Sequence, residues 1–128
     1  MKVLLMSPDP ASREAMQLAV ASIERRSGAP IRFAEAEDGQ EALRRAFRDP
    51  PDVIVAEEIA SRMGAFALAK DLRGAERPFR GAIVILLERA QDVWLADWSG
   101  ADAWFVKPVD PFQLADRLQE LVRTKEIA

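Results

Sequence analysis

Apolar runs without a polar interruption punctuate the chain at residues 3–6, 53–56, 82–87 and 103–106. Runs of this length, rich in β-branched residues and bounded by Pro, Gly or charged residues, predict strands buried on both faces. Residues 31–36 alternate weakly and predict one more strand. The segments between follow a helical period. Residues 10 to about 26 place Ala15, Met16, Ala19, Val20 and Ile23 on one face, and Ser27-Gly28-Ala29-Pro30 stops them. Asp38-Gly39 opens a second helix, with Ala42, Leu43, Ala46 and Phe47 at helical spacing. Residues 63–72 form a third, with Phe66, Leu68 and Ala69 apolar, and Gly74 closes it. Residues 90–98 form a short fourth, ended by Gly100. The last begins at Pro111 with Leu114, Leu118, Leu121 and Val122 inside; residues 124–128 read as a frayed end. Asp9 before Pro10 and Asp110 before Pro111 are the expected caps, since proline in a first helical turn forfeits no hydrogen bond.

Strand and helix alternate throughout, which predicts an α/β fold with a parallel sheet and helices on both faces. Five strands fit a flavodoxin-like, doubly wound order 2-1-3-4-5, with residues 1–128 as a single domain. Such sheets place ligands beyond the carboxyl ends of their strands. The central run ends at Glu57-Glu58, so one of these two carboxylates is expected in the crevice. Ser7, Pro8 and Asp9 share that edge, and Leu87 and Lys107 close its far side.

Composition narrows the chemistry. The chain is 49% hydrophobic and 30% charged, as in ordinary globular domains, and its formal net charge is −3. That balance argues against non-specific nucleic-acid binding, which relies on a basic surface, and no direct nucleic-acid partner is expected. There is no Cys and no His, so disulfides, thiolate nucleophiles and the commonest general base and metal ligand are excluded together. Any catalysis would have to run on carboxylates, Lys or hydroxyls; the expectation is nonetheless no cofactor, no metal site and no enzyme activity. The apolar start is too short for a signal peptide, and no stretch approaches the roughly 20 apolar residues that span a bilayer. A cytoplasmic domain without a membrane partner is expected. A small-ligand site of flavodoxin type is a further reading, although no Gly-rich phosphate loop supports it.

Three stretches carry a resemblance. Ala36-Glu37-Asp38-Gly39-Gln40-Glu41-Ala42-Leu43, Pro51-Asp52-Val53-Ile54-Val55-Ala56-Glu57, and Ser99-Gly100-Ala101-Asp102-Ala103-Trp104-Phe105-Val106-Lys107-Pro108 occur in this order on the fold just derived. Together they resemble the response-regulator receiver domain over essentially the whole chain. The resemblance implies a two-component (phosphorelay) role. In that family an Asp ending the third strand accepts a phosphoryl group from a histidine kinase. An acidic pair after the first strand holds Mg²⁺. A Thr or Ser after the fourth strand and a Lys after the fifth contact the phosphoryl oxygens. The resemblance also implies a cis bond before Pro108.

Carried over residue by residue, the pattern fails at most positions. The acidic pair falls on Ser7 and Pro8, and the acceptor on Glu57. The hydroxyl falls on Leu87, or on Leu86 if spacing to Lys107 decides; both are apolar. Lys107 and Pro108 match. Mg²⁺ requires hard oxygen ligands, and phosphoryl transfer relies on the metal and positioned donors. The expectation is a receiver that has lost its phosphorylation chemistry, with Glu57 paired to Lys107 and Asp9 serving as a helix cap. An impaired but still phosphorylatable receiver is the alternative.

The resemblance further implies a partner surface formed by the fourth helix, fifth strand and fifth helix, carrying Val93, Asp97, Trp98, Trp104 and Arg117, for a protein partner or a second copy. Aromatic residues beside Arg are typical interface anchors. Trp94 and Trp98 are spaced to share a helix face. Trp94 is expected in the core. Trp98 and Trp104 fit equally as interface anchors or as cover for the sheet edge.

Overall fold

The computed structural model describes residues 1–60 and 62–127. In chain order the elements are β1 (Lys2–Met6), α1 (Pro10–Ser27), β2 (Arg32–Ala36), α2 (Gly39–Arg48), β3 (Val53–Glu57), α3 (Ala65–Gly74), β4 (Ala82–Leu87), a 3-10 turn (Ala90–Asp92), α4 (Val93–Ser99), β5 (Ala103–Val106) and α5 (Pro111–Ile127). The strands form one parallel sheet in the order β2-β1-β3-β4-β5. This is the expected flavodoxin-like topology.

Strand periodicity sorts the core into two layers. Val3, Leu5, Val53, Val55, Ala82, Val84 and Leu86 pack under α1 and α5. Leu4, Met6, Ile54, Ala56, Ile83, Ile85 and Leu87 pack under α2, α3 and α4. Neighbouring residues point to opposite faces, so a strand buried on both sides must be apolar at every position. That is why β3 and β4 were visible as continuous runs. Each fully buried Val, Leu or Ile contributes roughly 1.5–3 kcal/mol.

Helix starts follow the sequence signals. Asp9 accepts a hydrogen bond from the Ala11 amide at 3.0 Å, with Pro10 in the first turn of α1. Asp38 accepts from the Glu41 amide at 3.0 Å, and the Glu41 carboxylate accepts from the Glu37 amide at 3.2 Å, a reciprocal arrangement close to a capping box. Asp110 accepts from Phe112 N at 2.8 Å. Gly100 ends α4 at φ 93°, a left-handed conformation that glycine adopts without steric cost.

Four expectations are corrected. The segment at residues 90–98 is not one helix, because a 3-10 turn precedes α4. Residues 124–127 are not frayed: α5 continues to Ile127, and Ala128 lies outside the described residues. Ala15 is exposed, because the inner stripe of α1 is filled by Met16, Ala19, Val20 and Ile23 and Ala15 falls at its margin. Phe47 is exposed as well, since small Ala42 and Ala46 form the contact of α2 with the sheet.

An arginine joins the elements at the amino end of β4 and β5. Arg73 donates to the carbonyls of Phe79 at 2.7 Å, Gly81 at 3.0 Å and Gly100 at 3.0 Å, and to the Asp102 carboxylate at 2.7 Å. Asp102 also accepts from the Ile83 amide at 2.8 Å and pairs with Lys125 of α5 at 3.2 Å. Truncation would leave the guanidinium and an amide partly buried without their acceptor. Asp102→Ala is expected to lower unfolding free energy by about 2–3 kcal/mol, read from the urea denaturation midpoint. A change within experimental error would show that the joint is dispensable.

Candidate functional site

The alternation that sorts the core decides the fate of the two carboxylates ending β3. Val53 and Val55 face α1 and α5, whereas Ile54 and Ala56 face α2, α3 and α4. Glu57 continues the first series and Glu58 the second. The side chains therefore diverge, and the sequence ambiguity between them is resolved by parity.

Glu58 turns to α3. Its Oε1 accepts from the Phe66 amide at 2.9 Å, in the first turn of that helix. The N-cap of α3 is Gly64, which has no side chain to offer, and Glu58 supplies the missing acceptor. A Cβ at residue 64 would collide with the Glu58 carboxylate, so glycine there makes room for this cap. Burial pushes the Glu58 carboxyl above the usual range, against the opposing hydrogen bonds from the Phe66 and Ile59 amides.

Glu57 turns to the α1/α5 side and is only 6% exposed. Its Oε2 is paired with the Lys107 ammonium. Its Oε1 is buried and, among the described residues, has no hydrogen-bond partner. Lys107 follows β5, where its amide donates to the Leu87 carbonyl at 2.8 Å, and the bond to Pro108 is cis. The ammonium is shared with a third carboxylate, Glu88, at 2.8 Å. Burial lowers the ammonium's pKa, but the hydrogen bonds and charges of Glu57 and Glu88 outweigh it, so the pKa lies above its usual value.

The first-strand end is occupied by its own loop. Ser7 is fully buried; its Oγ accepts from the Asp9 amide at 3.1 Å and its carbonyl accepts from Arg13 at 2.6 Å. Pro8 is exposed. Asp9 is taken up by the α1 cap and by Ser12 Oγ, which donates to it at 3.2 Å. Leu86 stands opposite Glu57 in the sheet register, while Leu87 is buried in the other core layer. Of the two leucines, Leu86 is thus the one beside Glu57. A cavity of about 600 Å³ lies between α1 and α5, with Glu57, Leu86 and Lys107 at its floor.

On the opposite flank the tryptophans depart from expectation. Trp94 is 65% exposed and is not a core residue. The buried positions of α4 are Ala96 and Ser99, small enough to bring it close to its neighbours, and this phase turns Trp94 outward. Trp98 is 55% exposed, with the Lys70 ammonium 4.2 Å from its ring centroid. Trp104 is 39% exposed on β5. Asp97 is exposed, and Val93 is half-buried against the core. Arg117 pairs with Glu120 of its own helix at 3.0 Å. Sequence reasoning missed Glu88 and Lys70. Only their positions, after a strand and on a helix facing another, would have signalled them.

No protein-family model matches the chain. It is 28% identical over 123 residues to an uncharacterized response regulatory protein of Mycobacterium tuberculosis, covering 96% of this chain and 92% of that protein. It is 30% identical over 93 residues to the alkaline phosphatase synthesis transcriptional regulatory protein PhoP of Bacillus subtilis, covering 73% of this chain but 39% of that protein. The receiver domain of Francisella response regulator 1452 superposes with a TM-score of 0.77 at 26% identity, covering 96% of this chain and 97% of that one. The chain is a response-regulator receiver domain of the two-component class.

The Lys107 shift has a pH signature. A lysine whose folded pKa exceeds its unfolded value adds stability that is complete below the unfolded value and is lost as pH rises through the folded one. Stability should therefore fall as pH climbs past the usual 10.5. Lys107→Met should remove this portion of the alkaline loss. Urea midpoints of both proteins across the alkaline range check it; parallel curves would contradict it.

The Glu58 cap gives a second test. Glu58→Ala should cost about 1 kcal/mol and speed amide hydrogen exchange at Phe66. Unchanged exchange there would show that α3 does not rely on this carboxylate.

Proposed function

We propose that this receiver domain signals without phosphorylation at the end of β3 and acts by docking a protein partner, or a second copy, through the face of α4, β5 and α5. The observation that carries this reading is the closure of Glu57 by Lys107 beside Ser7 and Pro8. The donor set does not fit Mg²⁺, which takes several hard oxygens. Ser7 supplies a hydroxyl already engaged by Asp9, Pro8 supplies no side-chain donor, and Asp9 caps α1. Among the described residues no group of three or more His, Cys, Asp or Glu could hold a metal ion. Leu86 and Leu87 carry no hydroxyl for a phosphoryl oxygen. Glu57 is one methylene longer than Asp, which displaces its oxygen from an in-line geometry tuned to the shorter side chain.

The docking face is supported by Trp94, Trp98 and Trp104, three exposed tryptophans on adjacent elements. Exposed large aromatics are frequent binding anchors. A receiver whose resting shape is already competent binds without a population shift, so loss of a switch does not abolish docking. The same reading takes residues 1–128 as one domain, non-catalytic and cytoplasmic, that contacts neither nucleic acid nor membrane. Among the described residues no helix is long and apolar enough to cross a membrane.

Two measurements test the proposal. Incubation with Mg²⁺ and acetyl phosphate should leave the intact mass unchanged; a phosphorylated species on Glu57 would restore the phosphotransfer reading. Trp104→Ala should weaken partner binding or self-association by about thirtyfold, the loss of an anchor worth roughly 2 kcal/mol. Glu57→Gln should alter that affinity far less. A larger loss in Glu57→Gln, with both variants folded by circular dichroism, would move the working surface back to the carboxyl ends of the strands.

A further inference from the structure

The cavity between α1 and α5 is lined by apolar surface from Ala15 and Met16 of α1, by Val109, and by Leu114 of α5. Its volume, about 600 Å³, lies within the roughly 300–1,000 Å³ typical of small-molecule sites. Such sites combine an apolar lining with a few placed polar groups. Here the polar group is Glu57, more than nine-tenths buried, with Oε2 held by Lys107 and Oε1 without a protein partner among the described residues. A buried acceptor left unpaired costs free energy, and a donor that reaches it recovers the loss.

Charge selects the donor. Around the floor stand two carboxylates, Glu57 and Glu88, and one ammonium, Lys107, so the formal sum is one negative charge. Arg13, a further cation on α1, is engaged by the Ser7 carbonyl and by Glu35. An anion entering the cavity would meet an ammonium already shared between two carboxylates. A cation would neutralise the excess charge and satisfy Oε1 in one contact, the charge-assisted bond that is the stronger kind.

We propose that this cavity binds a small molecule joining an apolar body to an ammonium group, with the ammonium on Glu57 Oε1 and the apolar body between α1 and α5. The site differs from a phosphate crevice in its position beneath the α1/α5 cover and in the sign of charge it selects. It does not rest on the partner surface proposed above, which lies on α4, β5 and α5.

The test is an amide chemical-shift titration of the whole chain with 2-phenylethylamine, 2-phenylethanol and phenylacetate, probes of one shape and three charge types. The amine should give saturable shifts at Ser12, Ala15, Met16, Val109 and Leu114. Its affinity should exceed those of the alcohol and the carboxylate by about tenfold or more. Glu57→Gln should weaken amine binding by about tenfold or more while leaving the alcohol's affinity within a few-fold. Ala15→Trp, at an exposed position on the cavity wall, should abolish binding of all three and keep the folded spectrum. If Glu57→Gln fails to fold, the probe ranking and Ala15→Trp decide. Absence of saturable shifts with the amine, equal or tighter binding of phenylacetate or phenylethanol, or amine binding unaffected by Ala15→Trp would overturn the proposal. So would a folded Glu57→Gln that binds the amine as the parent does.

Discussion

A carboxylate at the end of a strand buried on both faces cannot stand alone. Ionised, it forfeits hydration that a low-dielectric interior does not replace, and the deficit is several kcal/mol in real proteins. In this receiver domain the Lys107 ammonium reaches across from the end of β5 and makes Glu57 tolerable. The arrangement depends on the strand order: β4 lies between β3 and β5, and the long lysine side chain bridges that strand. Glu88, leaving β4, joins the same ammonium from the solvent side. The carboxyl edge of the sheet is thus organised by one cation among carboxylates, with neutral Ser7 and Pro8 where a second focus of charge would otherwise stand.

Much of this was legible in the sequence because the cause was local or periodic. The runs that became β3 and β4 were visible because an element packed on both sides has no polar position to spare; residues 103–106, expected to be buried in the same way, form an edge strand that is only partly buried, with Trp104 exposed. Asp9, Asp38 and Asp110 announced their helices because capping needs only a short acceptor before the first turn. The pairing of Glu57 with Lys107 was expected because both residues close strands at the carboxyl edge, although β4 lies between those strands and the lysine side chain has to reach across it. The resemblance to receiver domains was likewise visible in motifs that set turns and strand ends.

The failures have a common origin in packing that hydrophobicity does not encode. Trp94 belonged inside by polarity, but α4 approaches its neighbours through Ala96 and Ser99, and a small contact surface excludes an indole. Phe47 lost its place to Ala42 and Ala46 for the same reason. Glu58 could not be separated from Glu57 until the parity of β3 was fixed by which valines faced which helices. Its role as an acceptor for the Phe66 amide, eight residues further along the chain, compensates for the glycine N-cap of α3 over a separation longer than a local capping motif spans. The cavity between α1 and α5 has no sequence signature, because its walls come from segments far apart in the chain.

The position of β5 in the sheet has one further consequence. As the last strand in the order it has, among the described residues, no neighbouring strand on its outer side, and the amides and carbonyls along that side form a template for a foreign strand. It is only four residues long and runs directly into Lys107 and Pro108, a charged residue and one that cannot donate. Short length, charge and proline are the devices that blunt sheet edges against runaway pairing. Backbone-to-backbone zippering is therefore discouraged along this border, which offers side chains such as Trp104, which can discriminate, rather than main chain, which cannot.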